Sequence, residues 1–160
     1  MFNRFAKDAR RLAAAAQQTA RDLGSPAVEA EHLLMALTER PGTELAELLA
    51  DAGLDRSGIH DALEAESERS LAAVGISAQA FDLPAPRAAE AEPRWAASAK
   101  LAMERSLKIA VARKDHRIES AHVLLGVLDA SHGTVPRALE QAGVDREALG
   151  SRVAAALPGG

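Results

Sequence analysis

The chain repeats itself. Residues 5–59 and 95–149 align without a gap at an offset of 90. Where the first copy carries Val28-Glu29-Ala30-Glu31-His32-Leu33-Leu34, the second carries Ile118-Glu119-Ser120-Ala121-His122-Val123-Leu124. Further on, Leu49-Ala50-Asp51-Ala52-Gly53-Leu54-Asp55-Arg56 is answered by Leu139-Glu140-Gln141-Ala142-Gly143-Val144-Asp145-Arg146. A duplicated unit in a chain of 160 residues is read as one compact domain built from a pair. Function is then expected in what the two similar halves build together.

Composition narrows the kind of pair. Apolar residues make up 48% of the chain but aromatic ones only 2%. The core must therefore come from Leu, Ala, Val and Ile, and small side chains let helices approach closely, as in a helical bundle. The net charge of −4 disfavours a protein that wraps nucleic acid, which needs concentrated Lys and Arg. No cysteine is present, which removes disulfide and thiolate chemistry and fits a reducing cytoplasm, the expected location. The start of the chain lacks the apolar run of a signal peptide, and no stretch is long enough to span a bilayer.

Periodicity and breakers divide each copy into four helices. Phe5, Ala9, Leu12, Ala16, Ala20 and Leu23 recur at helical spacing, which predicts a helix over 4–23 that Gly24-Ser25-Pro26 ends. A second runs from about Glu29 to Glu39, before Pro41-Gly42. Thr43 is expected to cap a third, stopped at Gly53, and Asp55 or Ser57 a fourth reaching about Ala73. The second copy predicts helices from Ser98 to Arg113, from Ser120 as N-cap to Leu128, from Thr134 as N-cap to Gly143, and from Asp145 onwards. Repeat 1 is thus assigned to 1–73, a linker to 74–94 and repeat 2 to 95–157. Three prolines and no periodicity mark the linker, with Phe81 and Leu83 expected to pin it to the bundle or face a partner.

The run Phe2-Asn3-Arg4-Phe5, with Ala9-Arg10-Arg11, Gln17, Ala20-Arg21, Leu23, Val28 and Glu31-His32-Leu33-Leu34, resembles the Clp repeat N-terminal domain, the substrate receptor of ClpC-type AAA+ unfoldases. The resemblance covers nearly the whole chain. It implies an all-α, pseudo-twofold duplication of a four-helix repeat, about eight helices in all, which agrees with the reading from periodicity. No Gly-x-x-x-x-Gly-Lys-Ser/Thr phosphate loop occurs in the sequence, so the expectation is a receptor domain without a motor, acting as adaptor, decoy or ligand sink. Docking on the unfoldase without any small ligand is the alternative.

Two ligand sites follow from the resemblance. Family members bind phosphoarginine through a carboxylate just before the histidine of the second helix, since a carboxylate accepts two parallel hydrogen bonds from a guanidinium. That position is Glu31 in copy one and Ala121 in copy two, so one such site is expected to survive at most. The family threonine before it is Ala30 and Ser120 here. Cyclic peptide antibiotics directed at ClpC lie in the groove between repeats, and the matching positions are Phe2, Arg10, Trp95, Lys100 and Glu104. The competing reading has Phe2, Phe5 and Trp95 sealing the seam between repeats, and for Phe5 that reading is preferred.

Other constellations point to scaffold. His32 and His122 recur at one repeat position, which fits a structural job done twice. The five histidines lack paired spacing and cysteine partners, so no metal is expected, and no cofactor. The clusters Arg4, Lys7, Arg10, Arg11 and Lys108, Arg113, Lys114, Arg117 read as solvated faces, offset by Glu64, Glu66 and Glu68. No Gly-x-Ser-x-Gly elbow is present, and an enzyme is not expected. The expected partners are peptide-like or protein ligands, with neither nucleic acid nor membrane among them.

Overall fold

The computed structural model describes residues 4–40, 42–77 and 87–158. Eight helices stand among them. The first repeat holds α1 (Lys7–Asp22), α2 (Ala30–Thr38), α3 (Glu44–Asp51) and α4 (Arg56–Ala73). The second holds α5 (Ala97–Arg113), α6 (Ser120–Leu128), α7 (Thr134–Gln141) and α8 (Arg146–Ala156). Two short strands, β1 (Ala27–Val28) and β2 (Arg94–Trp95), complete the described elements. Every helix of the second repeat begins 90 residues after its counterpart (97 against 7, 120 against 30, 134 against 44, 146 against 56), so the offset seen in the sequence is the offset of the architecture. None of these helices is long and apolar enough to cross a membrane.

The two repeats are joined by exchange. β2, which leads into the second repeat, pairs in parallel with β1 of the first, with Val28 opposite Trp95. The segment that leads into the first repeat does the same to the second, where Phe5 bridges Ile118 in parallel. These are the same two repeat positions with the copies interchanged. The hydrogen bonds match as well: the Ala96 N–H donates to the Val28 carbonyl at 3.0 Å and the Ala6 N–H to the Ile118 carbonyl at 2.9 Å. Further out, α4 packs on α7 and α8 on α3, again reciprocally. Each repeat thus completes the other, as expected of units too small to enclose a core alone.

This exchange adjusts the sequence expectations. Helix α1 starts at Lys7 rather than at residue 4, because Phe5 and Ala6 are drawn into the ladder with Ile118. The segment assigned as linker is tied down at its far end. The Ala89 N–H donates to the Arg21 carbonyl at 2.8 Å, and the Gln17 amide donates to Glu92 at 3.0 Å. At Gly24, where φ is +69°, a Cβ would stand 2.2 Å from the Arg87 carbonyl oxygen, so only glycine admits the returning chain. Phe81 and Leu83 lie outside the described residues, as does Phe2.

Leu12, Leu33, Leu34, Leu49, Leu54, Ile59, Ile118, Leu124 and Leu139 fill the core, with alanines between them. Phe5 is buried, so the seal assigned to it holds. Helices α5 and α6 approach closely at Gly126, whose missing Cβ would sit 2.2 Å from the Ala102 carbonyl oxygen. Thr43, Asp55 and Asp145 cap α3, α4 and α8 as their types predict. Two expected caps are corrected. Gly133, not Thr134, precedes α7, and Glu119, not Ser120, is the N-cap of α6; the buried Ser120 hydroxyl has no partner among the described residues.

Glu66 is a further correction. Expected on a solvated face, it is buried at 4% exposure, accepts from Arg137 Nε of α7 at 2.8 Å and from Ser70 at 2.6 Å. Burial acts to raise its pKa, but these two donors outweigh burial and hold the carboxyl below its ordinary value. It ties α4 to α7 across the two repeats.

Candidate functional site

The start of α2 sets up the site. Glu29 is its N-cap, and its carboxylate accepts from the His32 backbone N–H while His32 Nδ1 accepts from the Glu29 N–H at 2.9 Å. With Nδ1 accepting, the imidazole proton sits on Nε2. Burial pulls the His32 pKa below its ordinary value against the opposing charge of Glu29, so the ring is neutral at pH 7. Copy two builds the same box from Glu119 and His122, where Nε2 also meets Asp115 at 2.8 Å. The recurring histidines are therefore helix-start scaffold.

The first N–H of each of these helices is satisfied from the opposite repeat. Ser98 of α5 accepts from the Ala30 N–H at 2.9 Å, and its hydroxyl donates to Glu29 in a short hydrogen bond. At the matching place Asp8 of α1 accepts from the Ser120 N–H at 3.1 Å. The swap of serine for aspartate makes the two junctions unlike. At the second, Asp8 faces Glu119, whose carboxyl is pushed up by burial and then by Asp8. Asp8 itself is held low, because hydrogen bonds from Ser120, Glu119 and Ala9 outweigh its burial.

The first junction opens into a pocket of about 350 Å³. Glu29, Ala30 and Glu31 form one wall, Ser98, Leu101 and Arg105 of α5 another, and His132 of the α6–α7 loop with Thr134 at the start of α7 the third. Glu31 is the unusual group here. Burial pushes its pKa up, and the charges of Glu29 and Glu66 add to that. It has no hydrogen-bond or ion-pair partner among the described residues. A half-buried carboxylate without a cation is suited to accept one from a ligand, and the planar guanidinium is the best geometric match. Copy two offers Ala121 at this place and so no equivalent acceptor.

Other hollows carry less chemistry. One of about 440 Å³ between α5, α6 and α8 is lined by Arg146, whose Nη1 donates to the carbonyls of Leu128 and Ala130. That is a cation closing the C-terminal end of α6, a structural role. His60, Asp61 and Glu64 bring ligand atoms within 4.8 Å of one another on α4, all exposed.

The groove residues expected from the resemblance lie elsewhere. Arg10 is exposed on α1, Lys100 and Glu104 are exposed on the outer face of α5, and Trp95 is half-buried in β2. None of the four lines the Glu31 pocket. Ser98, Arg105, His132 and Thr134, which do line it, carried no signal in the sequence beyond the position of Ser98 opposite Asp8 in the repeat.

Comparison with known proteins agrees with this architecture. The Clp repeat N-terminal domain family matches the chain twice, over residues 4–90 and 94–160. Among solved structures, the N-terminal domain of the caseinolytic protease-associated chaperone ClpD from Arabidopsis thaliana superposes with a TM-score of 0.69 at 18% identity, covering 97% of this chain and 95% of that one. The Hsp104 N-terminal domain from Candida albicans gives 0.62 at 19% identity, over 93% and 88%. The N-domain of ClpV from Vibrio cholerae gives 0.61 at 15% identity, over 95% and 84%. At these identities the likeness is one of fold.

Proposed function

The chain belongs to the family of Clp repeat N-terminal domains, and from that membership we propose that it is a non-catalytic binding module for arginine-bearing peptide or protein ligands. Domains of this family serve as substrate- and adaptor-binding modules of Clp unfoldases. The observation that carries the reading is Glu31, a half-buried carboxylate without a partner in a cavity between the repeats. Arg105 and His132 stand on the facing walls, where a phosphate attached to the guanidinium would meet positive charge and N–H donors. Phosphoarginine-marked proteins are therefore the ligand class, and adaptor, decoy or ligand sink for a Clp protease the role. One pocket, not two, does the binding, because Ala121 stands where the second carboxylate would be.

Isothermal titration with free phosphoarginine tests this, with Glu31→Gln as control. Binding of one equivalent that the variant loses supports the reading, and absence of binding to the unaltered chain refutes it. A ClpC-directed cyclic peptide, followed by fluorescence of the single tryptophan Trp95, tests the groove defined by Phe2, Arg10, Trp95, Lys100 and Glu104.

A further inference from the structure

Charged and polar groups make up only part of the wall around Glu31. Leu101, Ala130, Val135 and Pro136 also line the cavity of about 350 Å³, and their side chains offer it no hydrogen bond. Val135 and Pro136 are buried in the first turn of α7, and Val135 belongs to the hydrophobic core, so this part of the wall is fixed. Leu101 differs, because at 45% exposure much of its side chain has no apolar neighbour. Its place follows from helical spacing. Ser98, Leu101 and Arg105 stand at i, i+3 and i+7 on α5 and so share one face. Ser98 accepts from the Ala30 N–H, next to Glu31, while Arg105 lies about 10 Å further along the helix axis. Leu101 therefore sits between the carboxylate end of the cavity and its cationic end.

We propose that this apolar stretch is a specificity subsite that seats an aliphatic side chain adjoining the arginine in the ligand's sequence, with Leu101 as the residue that selects it. The subsite rests on the Glu31 pocket being an arginine site, and that anchor names its occupant. An arginine held by its guanidinium at Glu31 brings the residues on either side of it to the mouth of the same cavity, since neighbours in an extended segment are only about 3.3 Å apart. An aliphatic neighbour covers Leu101 and releases water from it and from Val135 and Pro136. A polar neighbour gives up hydration against side chains that return no hydrogen bond. Pockets that bind small ligands follow this plan, mostly apolar with a few polar groups that fix orientation. Here Glu31 and Arg105 supply the orientation, and Leu101 with the first turn of α7 supplies the discrimination between sequences.

The test titrates the whole chain with free phosphoarginine and with two capped tripeptides, one carrying phosphoarginine between two leucines and the other between two serines. The leucine peptide should bind about tenfold more tightly than the serine peptide, the size of discrimination an apolar pocket gives. Leu101→Asn changes an exposed position, so circular dichroism and Tm should show the fold retained, while the ratio between the two peptides falls to about threefold or less. The ratio is the readout that a merely structural role would not move. Equal binding of the two peptides, with free phosphoarginine still bound, overturns the subsite and leaves the arginine pocket standing. Loss of affinity for both peptides alike in Leu101→Asn, with the ratio kept, also overturns it, because the leucine is then seated elsewhere. Failure of all three ligands to bind overturns the pocket and the subsite together.

Discussion

Adding one methyl group at Gly126 should separate the helix pair that carries the pocket's α5 wall. A Cβ there would stand 2.2 Å from the Ala102 carbonyl oxygen and 3.0 Å from the Ser106 nitrogen. Ordinary contact begins near 3.4 Å, so α5 and α6 must part by roughly 1 Å at this crossing. Both obstructing atoms are backbone and cannot rotate away. A gap of that size forfeits a good part of the dispersion between facing side chains. Overpacking of this kind costs typically about 1–3 kcal/mol, and alanine returns about 1 kcal/mol of helix propensity over glycine. The net expectation for Gly126→Ala is a loss of about 0–2 kcal/mol, with Tm lower by up to about 8 °C. The repeat places Ala36 at the equivalent position of α2, buried at 1% exposure, so the first repeat already accepts the methyl group. There the reverse change, Ala36→Gly, should cost about 1 kcal/mol from propensity alone. Urea unfolding followed by circular dichroism measures both. Gly126→Ala with raised stability would refute the close-approach argument. Because Leu101 and Arg105 of α5 line the pocket, and Arg105 also reaches the Gly126 carbonyl, the same variant should weaken phosphoarginine binding.

Further outcomes follow from the junction chemistry. Asp8→Ser installs the residue that Ser98 supplies at the other junction, keeps an acceptor for the Ser120 N–H and removes a carboxylate facing Glu119; the Glu119 pKa should fall toward its ordinary value, read by carboxyl NMR titration. Glu119 has a raised folded pKa, so its charge costs stability above that pKa, and an unchanged Glu119 pKa in Asp8→Ser would refute the facing-carboxylate reading. Glu31→Gln follows the same sign: the raised folded pKa makes the ionised form unfavourable, so the variant should be more stable by about 0.5–1 kcal/mol at neutral pH and gain little in acid, while losing its ligand. Glu66 has the opposite sign. Its depressed pKa contributes stability above its unfolded value, lost as pH falls through the folded one; Arg137→Ala should cost about 1–2 kcal/mol at pH 7, less than for fully buried pairs because Arg137 is half-exposed. Thermal melts across pH 3–8 check the Glu31→Gln and Arg137→Ala variants, and a Glu31→Gln variant less stable than the parent chain would refute the unpaired-carboxylate reading.

Much of the architecture is legible in the chain because its signals are local. Gly53 and Gly143, both at positive φ, follow the ends of α3 and α7, Thr43 caps the start of α3, and such stops and starts depend on a few adjacent residues. The offset of 90 carries over from letters to helices without change. Expectations failed where a residue's neighbour comes from the other repeat. Spacing alone marks Glu66 as one of three surface carboxylates, and only the approach of α7 with Arg137 makes it a buried latch. Phe5 and Ala6 fall in a helical pattern but are drawn into a ladder with Ile118, more than a hundred positions away.

The site divides in the same way. The contrast of Glu31 with Ala121 is written in the repeat, and with it the expectation of one carboxylate where symmetry allows two. That Glu31 is unpaired, that Arg105 and His132 face it, and that Ser98 caps the helix on which it stands, depend on the crossing of α2 with α5 and the α6–α7 loop. The sequence by itself determined the duplication, the helices and the asymmetry between the copies, since these are properties of neighbours along the chain. The tertiary structure alone decided which faces meet across the pseudo-twofold, which carboxylates are buried and which apolar face stays open, because burial and electrostatics are set by neighbours in space.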